Sequence, residues 1–302
     1  MPDATSTTPA ALPASIELAP RAIERDLDGL KLIPPGTRVY IVDVGDVPAL
    51  IWARTCEQLA QARLEPVPHI ACRRIRTLEE IEERIAVMIR AGEVRDVLVI
   101  GGDINRPVGP FASSMDLLET GVLERNGIRR IGFAGHPEGS PDIPAAEVVY
   151  ALHRKIEYGR KHGARIRLVT QFGFDPDSAI GFADRLAAEG IEVPIHIGLP
   201  GPTSMTTLLK YAALCGVRTS MSFALKRSSA VASLLGGYVP EPYAHAIEQR
   251  VRSGKPSLIR QLHVYPFGGW TKAAKWLIER GSWLERSAIG VTKTSSSAGS
   301  TP

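Results

Sequence analysis

The chain has 302 residues, 44% of them hydrophobic and 23% charged, which is enough material for one large or two ordinary globular domains. Its 36 basic and 32 acidic residues leave a net charge of only +4, and no basic stripe with interleaved aromatic residues indicates nucleic-acid binding. No stretch is long and apolar enough to span a membrane, so neither nucleic acid nor membrane is an expected partner.

The two ends of the chain differ in composition from the rest. Residues 1–13 are rich in Ala, Thr and Pro and lack both the charged start and the apolar run of a signal peptide. We expect a disordered extension over residues 1–13, an ordered domain over 14–291 and a disordered tail over 292–302. The three cysteines are far apart without Cys-x-x-Cys spacing, which favours a reducing compartment and a cytoplasmic protein.

Short β-branched runs alternate with helical patterns along the whole ordered part. The predicted strands cover residues 15–18, 39–44, 66–70, 97–100, 130–134, 166–170, 194–197 and 260–265. Helices are predicted at 48–62 and 144–162. Another helix begins at the capping box of Thr77 and Glu80 and ends at Gly92, and the pair Asp175-Pro176 begins one that ends at Gly190.

This alternation predicts a single (β/α)₈ TIM barrel. About eight strand–helix units in roughly 275 ordered residues fit that fold, whose usual size is about 250 residues. The structural alternative is a doubly wound open sheet, which in its nucleotide-binding form usually carries a Gly-x-Gly-x-x-Gly turn after an early strand. The sequence contains neither that turn nor a phosphate-binding P-loop, and no linker divides it.

Polar residues stand at or just after most predicted strands, and in a barrel these positions converge on one rim. They are Glu17, Asp43, His69, Asp103, His136, Glu138, Gln171 and Tyr265. A carboxylate within an apolar strand, as at Glu17, is costly unless it is paired or functional.

Each of these residues also has a purely structural interpretation. Glu17 is solvated if the first strand frays, and Asp103 in Gly-Gly-Asp is a common turn residue. Gln171 is a core amide if its hydrogen bonds are satisfied internally. His69 and Cys72 are two ligands, too few for a metal site, so no metal is expected.

Five segments, in chain order, resemble one known family. They are Ser15-Ile16-Glu17-Leu18, Pro68-His69-Ile70-Ala71-Cys72, Gly101-Gly102-Asp103, His136-Pro137-Glu138-Gly139-Ser140-Pro141 and Thr170-Gln171-Phe172-Gly173-Phe174-Asp175. From about residue 16 to about residue 276 the chain resembles the methylenetetrahydrofolate reductases, which are (β/α)₈ barrels. The resemblance implies an oxidoreductase of one-carbon metabolism and methionine biosynthesis that interconverts 5,10-methylenetetrahydrofolate and 5-methyltetrahydrofolate. Electrons would come from NADH or NADPH through bound FAD, and a homo-oligomer is expected.

The resemblance also implies roles for individual residues. Glu17 would be the general acid that opens the five-membered ring to the 5-iminium cation, with a pKa raised by an apolar rim. Asp103 would stabilise that cation, while Gln171 and Tyr211 would bind the pterin and stack on a ring. The flavin side would be formed by His69, Gly101, Asp103, His136 and Lys155.

The chain departs from the family pattern mainly on the flavin side. Gly101 stands in place of an arginine, His136 of a tyrosine, Ser140 of a histidine, Asp43 of a threonine and Gly269 of a late arginine. An acid such as Asp43 repels a pyrophosphate unless a cation intervenes. We therefore expect weakened or altered flavin binding, with hydride passing either through FAD or directly from the nicotinamide.

Two other functions remain open from sequence. A pterin-dependent methyltransferase of the same fold would need a corrinoid partner and no nicotinamide. A non-catalytic folate-binding relative would need no proton donor, and the presence of Glu17 argues against it.

Overall fold

The computed structural model describes residues 11–45, 47–139, 143–215, 217 and 237–283. Eight parallel strands follow one another around a closed barrel, and β8 pairs with β1 to complete it. The predicted (β/α)₈ barrel is confirmed, and the open-sheet alternative is wrong. The first ten residues and the predicted tail over 292–302 lie outside the described residues.

The strands are β1 (Ala14–Leu18), β2 (Arg38–Ile41), β3 (Glu65–Ala71), β4 (Asp96–Ile100), β5 (Arg130–Gly135), β6 (Arg165–Thr170), β7 (Ile195–Pro200) and β8 (Ile259–Tyr265). The described α-helices are α1 (Pro20–Arg25), α2 (Ala49–Gln61), α3 (Leu78–Gly92), α4 (Ser114–Glu119), α5 (Val122–Arg125), α6 (Ala145–His162), α7 (Pro176–Ala188), α8 (Met205–Leu214), α9 (Glu241–Arg252) and α10 (Trp270–Glu279). Within the described residues, no helix is long and apolar enough to cross a bilayer.

Two strand ends differ from the prediction by three residues, and the other boundaries agree to within one residue. β2 ends at Ile41, because the Asp43 carboxylate accepts hydrogen bonds from the backbone amides of Gly45 and Ala71 where the chain turns away. β7 extends to Pro200, because its pairing with β8 continues to Tyr265. At the other end of the barrel, the backbone amide of Leu12 donates to Glu248 and the carbonyl of Pro13 accepts from Leu262.

The start of α3 follows the predicted capping pattern in part. The Thr77 hydroxyl accepts from the backbone amide of Glu80, but the Glu80 carboxylate accepts from the amide of Arg76 instead of reaching back to Thr77. Gly92 is the last helical residue, as predicted, and the left-handed conformation is taken by the following residue, Glu93. A side chain at Gly92 would collide with Cys56 of α2, so this glycine permits close packing of the two helices.

The interior of the barrel contains a charged layer that the sequence analysis missed. Asp96 of β4 is buried and lies 2.7 Å from Arg167 of β6, with Arg38 and Arg130 also within 4 Å. The Arg167 guanidinium also donates to the hydroxyl of Tyr40 at 2.9 Å. Because this buried carboxylate is surrounded by cations, it meets the condition under which a charge is tolerated inside a protein.

His196 of β7 lies close to this layer and makes the fold sensitive to acid. Burial, followed by the positive charges of Arg167 and Arg38, lowers the pKa of its imidazole to about 2. The folded state therefore favours neutral His196, so the stability that this residue contributes is complete above the ordinary pKa of 6.5 and is lost as pH falls towards 2.

We predict that the unfolding free energy falls by about 1.4 kcal/mol per pH unit below pH 6.5 because of His196. The His196→Gln variant should show a shallower dependence in urea unfolding measured from pH 7 to pH 4. The matched control is His245→Gln on the exposed side of α9, which should leave the slope unchanged. Parallel curves for wild type and His196→Gln would contradict the assignment.

Candidate functional site

The candidate site is centred on Glu17, which β1 directs into the barrel between two histidines. Its Oε2 atom lies 3.5 Å from Nε2 of His69 on β3 and 3.5 Å from Nε2 of His263 on β8. The other nitrogen of His263, Nδ1, lies 2.9 Å from the Ser15 hydroxyl. Neighbouring residues Ile16 and Leu18 face the outer core, so strand alternation alone sends Ser15 and Glu17 inward.

The prediction that the pKa of Glu17 is raised is wrong. Burial acts to raise the pKa of this carboxyl, but the charge of His69 and the hydrogen bond and charge of His263 outweigh it, so the pKa is lowered. A raised pKa was expected because only the apolar rim was considered. The two histidines that lower the pKa lie on strands that are far from β1 in the sequence. His69 itself has a lowered pKa, chiefly because it is buried.

Gln171 follows β6 on the same rim. Its side-chain oxygen accepts a hydrogen bond from the backbone amide of Phe172 at 3.0 Å, and its own backbone amide donates to Gly135. Among the described residues, no hydrogen bond from the NH₂ group of this half-buried side chain is seen. The core-amide interpretation thus accounts for the oxygen of Gln171 but for no contact of its nitrogen within the described part of the chain.

An aromatic cluster borders the rim next to Gln171. We call it the aromatic wall; it consists of Phe172, Phe174, Tyr211, Tyr238, Tyr265 and Phe267. Tyr211 of α8 stacks on Phe267 with ring centroids 4.2 Å apart and an interplanar angle of 12°. The Tyr265 hydroxyl donates to the carbonyl of Thr170, which ties β8 to β6 beneath the wall. Phe172 and Phe174 are buried, whereas the other four rings are partly exposed and therefore suited to stacking with a planar ligand.

On the opposite side of the rim, Asp43 is an internal anion. Its side chain is only 3% exposed, and its two oxygens accept from the backbone amides of Gly45 and Ala71 and from the guanidinium of Arg84 at 3.3 Å. The Arg84 guanidinium also lies over the ring of Trp52 at 4.9 Å. This carboxylate therefore engages two backbone amides and Nη1 of Arg84, whereas Nε and Nη2 of Arg84 have no hydrogen-bond partner among the described residues.

Asp103 is likewise paired, but at the surface. Both of its oxygens accept from the guanidinium of Arg74, at 2.8 and 2.9 Å, while its side chain is 74% exposed. Among the described residues, no hydrogen bond joins Asp103 to Glu17 or Gln171. The structure thus brings Glu17 and His69 together on one side and places Asp103 in a separate ion pair.

Gly101 lacks the side chain that the family has, and a neighbouring arginine fills the space. The guanidinium of Arg73 lies just under 4 Å from where a Cβ of Gly101 would stand. Its Nε and Nη1 atoms donate to the carbonyls of Ala112 and Ile104, which holds the loop after β4 in place.

Lys155 and His136 form the remaining part of the predicted flavin side. The ammonium group of Lys155 on α6 lies 4.8 Å from the centre of the Phe133 ring, and burial lowers its pKa. Burial and the nearby Lys155 charge also lower the pKa of His136. Within the described part of the chain, Lys155 makes no ion pair.

Three residues at the site were missed from sequence, and one of them gave a signal. His263 lies between Gln261 and Tyr265 in β8, and polar residues at every second position of an apolar strand indicate an inward face. Phe267 and Tyr40 gave no such signal, since an aromatic residue in a strand or loop is most often core. In the described residues, no group of three or more His, Cys, Asp or Glu side chains is arranged to hold a metal ion.

Fold and site together define a (β/α)₈ barrel protein whose strand ends carry a buried acid–histidine group beside a wall for planar rings. The profile of the family "Methylenetetrahydrofolate reductase" matches residues 46–233, which is more than half of the chain. The chain belongs to the methylenetetrahydrofolate reductase family.

Several curated reductases resemble the chain over part of their length. The 5,10-methylenetetrahydrofolate reductase of Pectobacterium carotovorum subsp. carotovorum is 31% identical over 157 residues, covering 51% of this chain and 50% of the relative. Methylenetetrahydrofolate reductase 1 of Schizosaccharomyces pombe is 28% identical over 235 residues, covering 75% of this chain and 37% of the relative. The chain thus spans about half the length, or less, of the curated relatives it matches.

A solved structure supports the fold. An uncharacterized protein from Clostridium thermocellum, which binds two copies of 5-methyl-5,6,7,8-tetrahydrofolic acid, superposes with a TM-score of 0.55. The match covers 90% of this chain and 95% of that protein, at 11% sequence identity. At that identity the similarity shows a shared barrel and carries no statement about ligands of this chain.

We predict that removing Arg84 from its pair with Asp43 destabilises the protein much more than removing Arg74 from its pair with Asp103. Removing one partner of a buried pair costs about 3–5 kcal/mol, because the remaining charge is left in a medium of low dielectric. The Arg84→Met variant should lose about that much unfolding free energy in urea, and the double variant Asp43→Asn/Arg84→Met should recover part of it.

Arg74→Met is the matched control, since its partner Asp103 is largely solvated and exposed pairs contribute about 0–1 kcal/mol. An Arg84→Met variant no less stable than Arg74→Met would show that Asp43 does not depend on its cation.

Proposed function

We propose that this protein is an NAD(P)H-dependent oxidoreductase that interconverts 5,10-methylenetetrahydrofolate and 5-methyltetrahydrofolate. The observation that carries the proposal is the Glu17 carboxyl between His69 and His263, next to a Gln171 amide and an aromatic wall. The family match favours this activity over a pterin-dependent methyltransferase. The folate-binding neighbour of the same fold is consistent with a folate substrate.

In this proposal Glu17 supplies the proton that opens the five-membered ring. A carboxyl with a lowered pKa is ionised at neutral pH, so it has to gain a proton when the substrate binds. A pterin placed over Glu17 removes the remaining water from the carboxyl, which favours its neutral form. The proton then passes to the ring nitrogen that leaves the bridging carbon, and the 5-iminium cation forms.

The reduction is completed by a hydride from the nicotinamide, which is a substrate here. The hydride adds to the iminium carbon and produces the methyl group, while the nicotinamide is oxidised. Gln171 donates from its NH₂ group to an acceptor on the pterin edge, because its oxygen is already used by Phe172. Tyr211 and Phe267 supply the stacking surface for a planar ring of the folate or the nicotinamide.

Bound FAD, which in the family relays electrons between nicotinamide and folate, fits this chain poorly. Its pyrophosphate needs cations and free backbone amides, whereas Asp43 accepts hydrogen bonds from two backbone amides and from one nitrogen of Arg84, and its negative charge repels phosphate. Arg74 is paired with Asp103, and Arg73 is held by two carbonyls. His136 and Lys155 remain, and burial disfavours the charged form of each. We therefore propose direct hydride transfer from NADH or NADPH.

Asp103 has a conditional role in this proposal. A carboxylate that shares its charge with Arg74 offers little net field to an iminium cation, and solvent screens the exposed pair further. Stabilisation of the cation by Asp103 therefore requires that its carboxylate leave Arg74 when the substrates bind.

Substitution of Glu17 tests its role as the proton donor. In an assay with 5,10-methylenetetrahydrofolate and NADH or NADPH, followed by nicotinamide absorbance, the Glu17→Gln variant should lose at least about a hundredfold in kcat, because it cannot donate the proton. Its binding of 5-methyltetrahydrofolate, measured by calorimetry, should change little. Asp103→Asn is the control at a paired carboxylate and should lose less activity than Glu17→Gln. Full activity in Glu17→Gln would show that Glu17 is not the acid.

A further prediction concerns the flavin. The purified protein should carry no stoichiometric yellow FAD, and added FAD should leave the rate of nicotinamide oxidation unchanged, because the negative charge of Asp43 repels a pyrophosphate. The measurements are the visible spectrum of the purified protein and the assay with and without FAD. A stoichiometric flavin would overturn direct transfer. Absence of oxidation under both conditions would remove the reductase proposal and leave a folate-binding relative.

A further inference from the structure

Tyr40 is a buried residue that connects the acid–histidine group to the charged layer. It lies on β2 directly opposite Glu17 in the β1–β2 register and is fully buried. Its ring packs inside the barrel against Val67, Leu98 and Val169. A tyrosine at this level is unusual in an apolar interior unless its hydroxyl has a partner.

The ring of Tyr40 contacts both histidines that flank Glu17. Its centroid lies 4.5 Å from that of His263 at an interplanar angle of 67°, and 6.0 Å from that of His69 at 77°. Both are edge-to-face arrangements, the favoured geometry for aromatic pairs. A change in the tilt of this one ring therefore moves the packing surface of both imidazoles.

The hydroxyl of Tyr40 is fixed from the other side. It accepts a hydrogen bond from Nε of Arg167 at 2.9 Å, and Nη1 of Arg167 donates to the buried Asp96 at 2.7 Å. The same guanidinium lies 5.5 Å from the centre of the Tyr40 ring. Tilting the ring would cost hydrogen bonds to a buried charge, so the ring is held in one orientation.

The histidines depend on such packing because their contacts to Glu17 are long. Both Nε2–Oε2 distances are 3.5 Å, beyond the 2.7–3.2 Å range of a good hydrogen bond. His263 has the Ser15 hydroxyl at its other nitrogen, whereas Nε2 of His69 has no hydrogen-bond partner in the described part of the chain. Packing against Tyr40 thus contributes much of what sets the distance between these rings and the carboxylate.

We propose that Tyr40 is a positioning residue, whose ring, anchored by Arg167 and Asp96, orients His69 and His263 towards Glu17. Its kinetic consequence rests on the proposed function, in which Glu17 donates the proton. The positioning itself is a property of the protein without substrates.

The test compares Tyr40→Leu, which removes the ring, with Tyr40→Phe, which keeps the ring and removes the hydroxyl anchor. Phe182→Leu is the control, since it removes a buried ring from α7 in the outer core. The first readout is the titration of the His69 imidazole by NMR in the absence of substrates. Glu17, His263 and Asp43 are the ionisable groups that act on His69, and none of the three variants changes them.

In Tyr40→Leu the pKa of His69 should rise towards the ordinary value of 6.5, because water then reaches an imidazole that is buried in the wild type. Tyr40→Phe should move it less, and Phe182→Leu should leave it unchanged. If the pKa of His69 in Tyr40→Leu equals that in the wild type, the proposal is overturned. If Tyr40→Leu does not fold, an unchanged titration in Tyr40→Phe overturns the anchoring by Arg167.

The second readout is steady-state kinetics. Misplacing a catalytic group by about 1 Å costs up to about a hundredfold, so Tyr40→Leu should lose at least about tenfold in kcat with little change in KM, and Tyr40→Phe should keep most of the activity. Equal losses in Tyr40→Leu and Phe182→Leu would mean that only general stability is affected. If the wild type itself oxidises no nicotinamide, the proposed function fails, and the His69 titration still decides the role of Tyr40.

Discussion

The pairing of β1 with β8 is the constraint on which the whole candidate site depends. It joins residues about 250 positions apart and places Ser15 directly opposite His263 in the strand register. Because side chains alternate along a strand, this register sends both residues, and Glu17 with them, into the barrel. A shift of one residue in β1 would turn Glu17 towards the outer core, where its charge would have no partner, and the same shift in β8 would turn His263 outwards.

Closure of the barrel also creates an interior with two different levels. At the level of the rim, one carboxylate oxygen of Glu17 lies 3.5 Å from a ring nitrogen of each of two histidines, and packing maintains these distances. Deeper inside, Asp96 and Arg167 form a buried ion pair whose charges are satisfied by each other and by neighbouring groups. Tyr40 belongs to both levels. Such buried ionic groups contribute little net stability, but they restrict the arrangements that the interior can adopt.

The rim has an aromatic side and a side where two carboxylates are paired with arginines. On the aromatic side, rings from α8 and the loops after β6 and β8 offer stacking surface. On the other side, Asp43 and Asp103 each engage an arginine, so the cations there are already neutralised. The two sides of the rim therefore offer different chemistry, with stacking surface on one and paired charges on the other.

The eight strands and the four helices predicted from the sequence, α2, α3, α6 and α7, lie where they were expected, because they depend on local periodicity, capping and turn residues such as Thr77 and Asp175. The other described helices had no predicted bounds. The errors were confined to ends, as at β2, where the side chain of Asp43 competes for backbone amides. The sequence also determined which polar residues stand at strand ends, since that follows from the strand assignments. Only the tertiary structure decided which of them meet: Glu17 with His69 and His263, but Asp103 with Arg74. The reason is physical: side-chain partners and the resulting pKa of Glu17 depend on strand register and packing across the closed barrel, and these involve contacts between residues far apart in the chain.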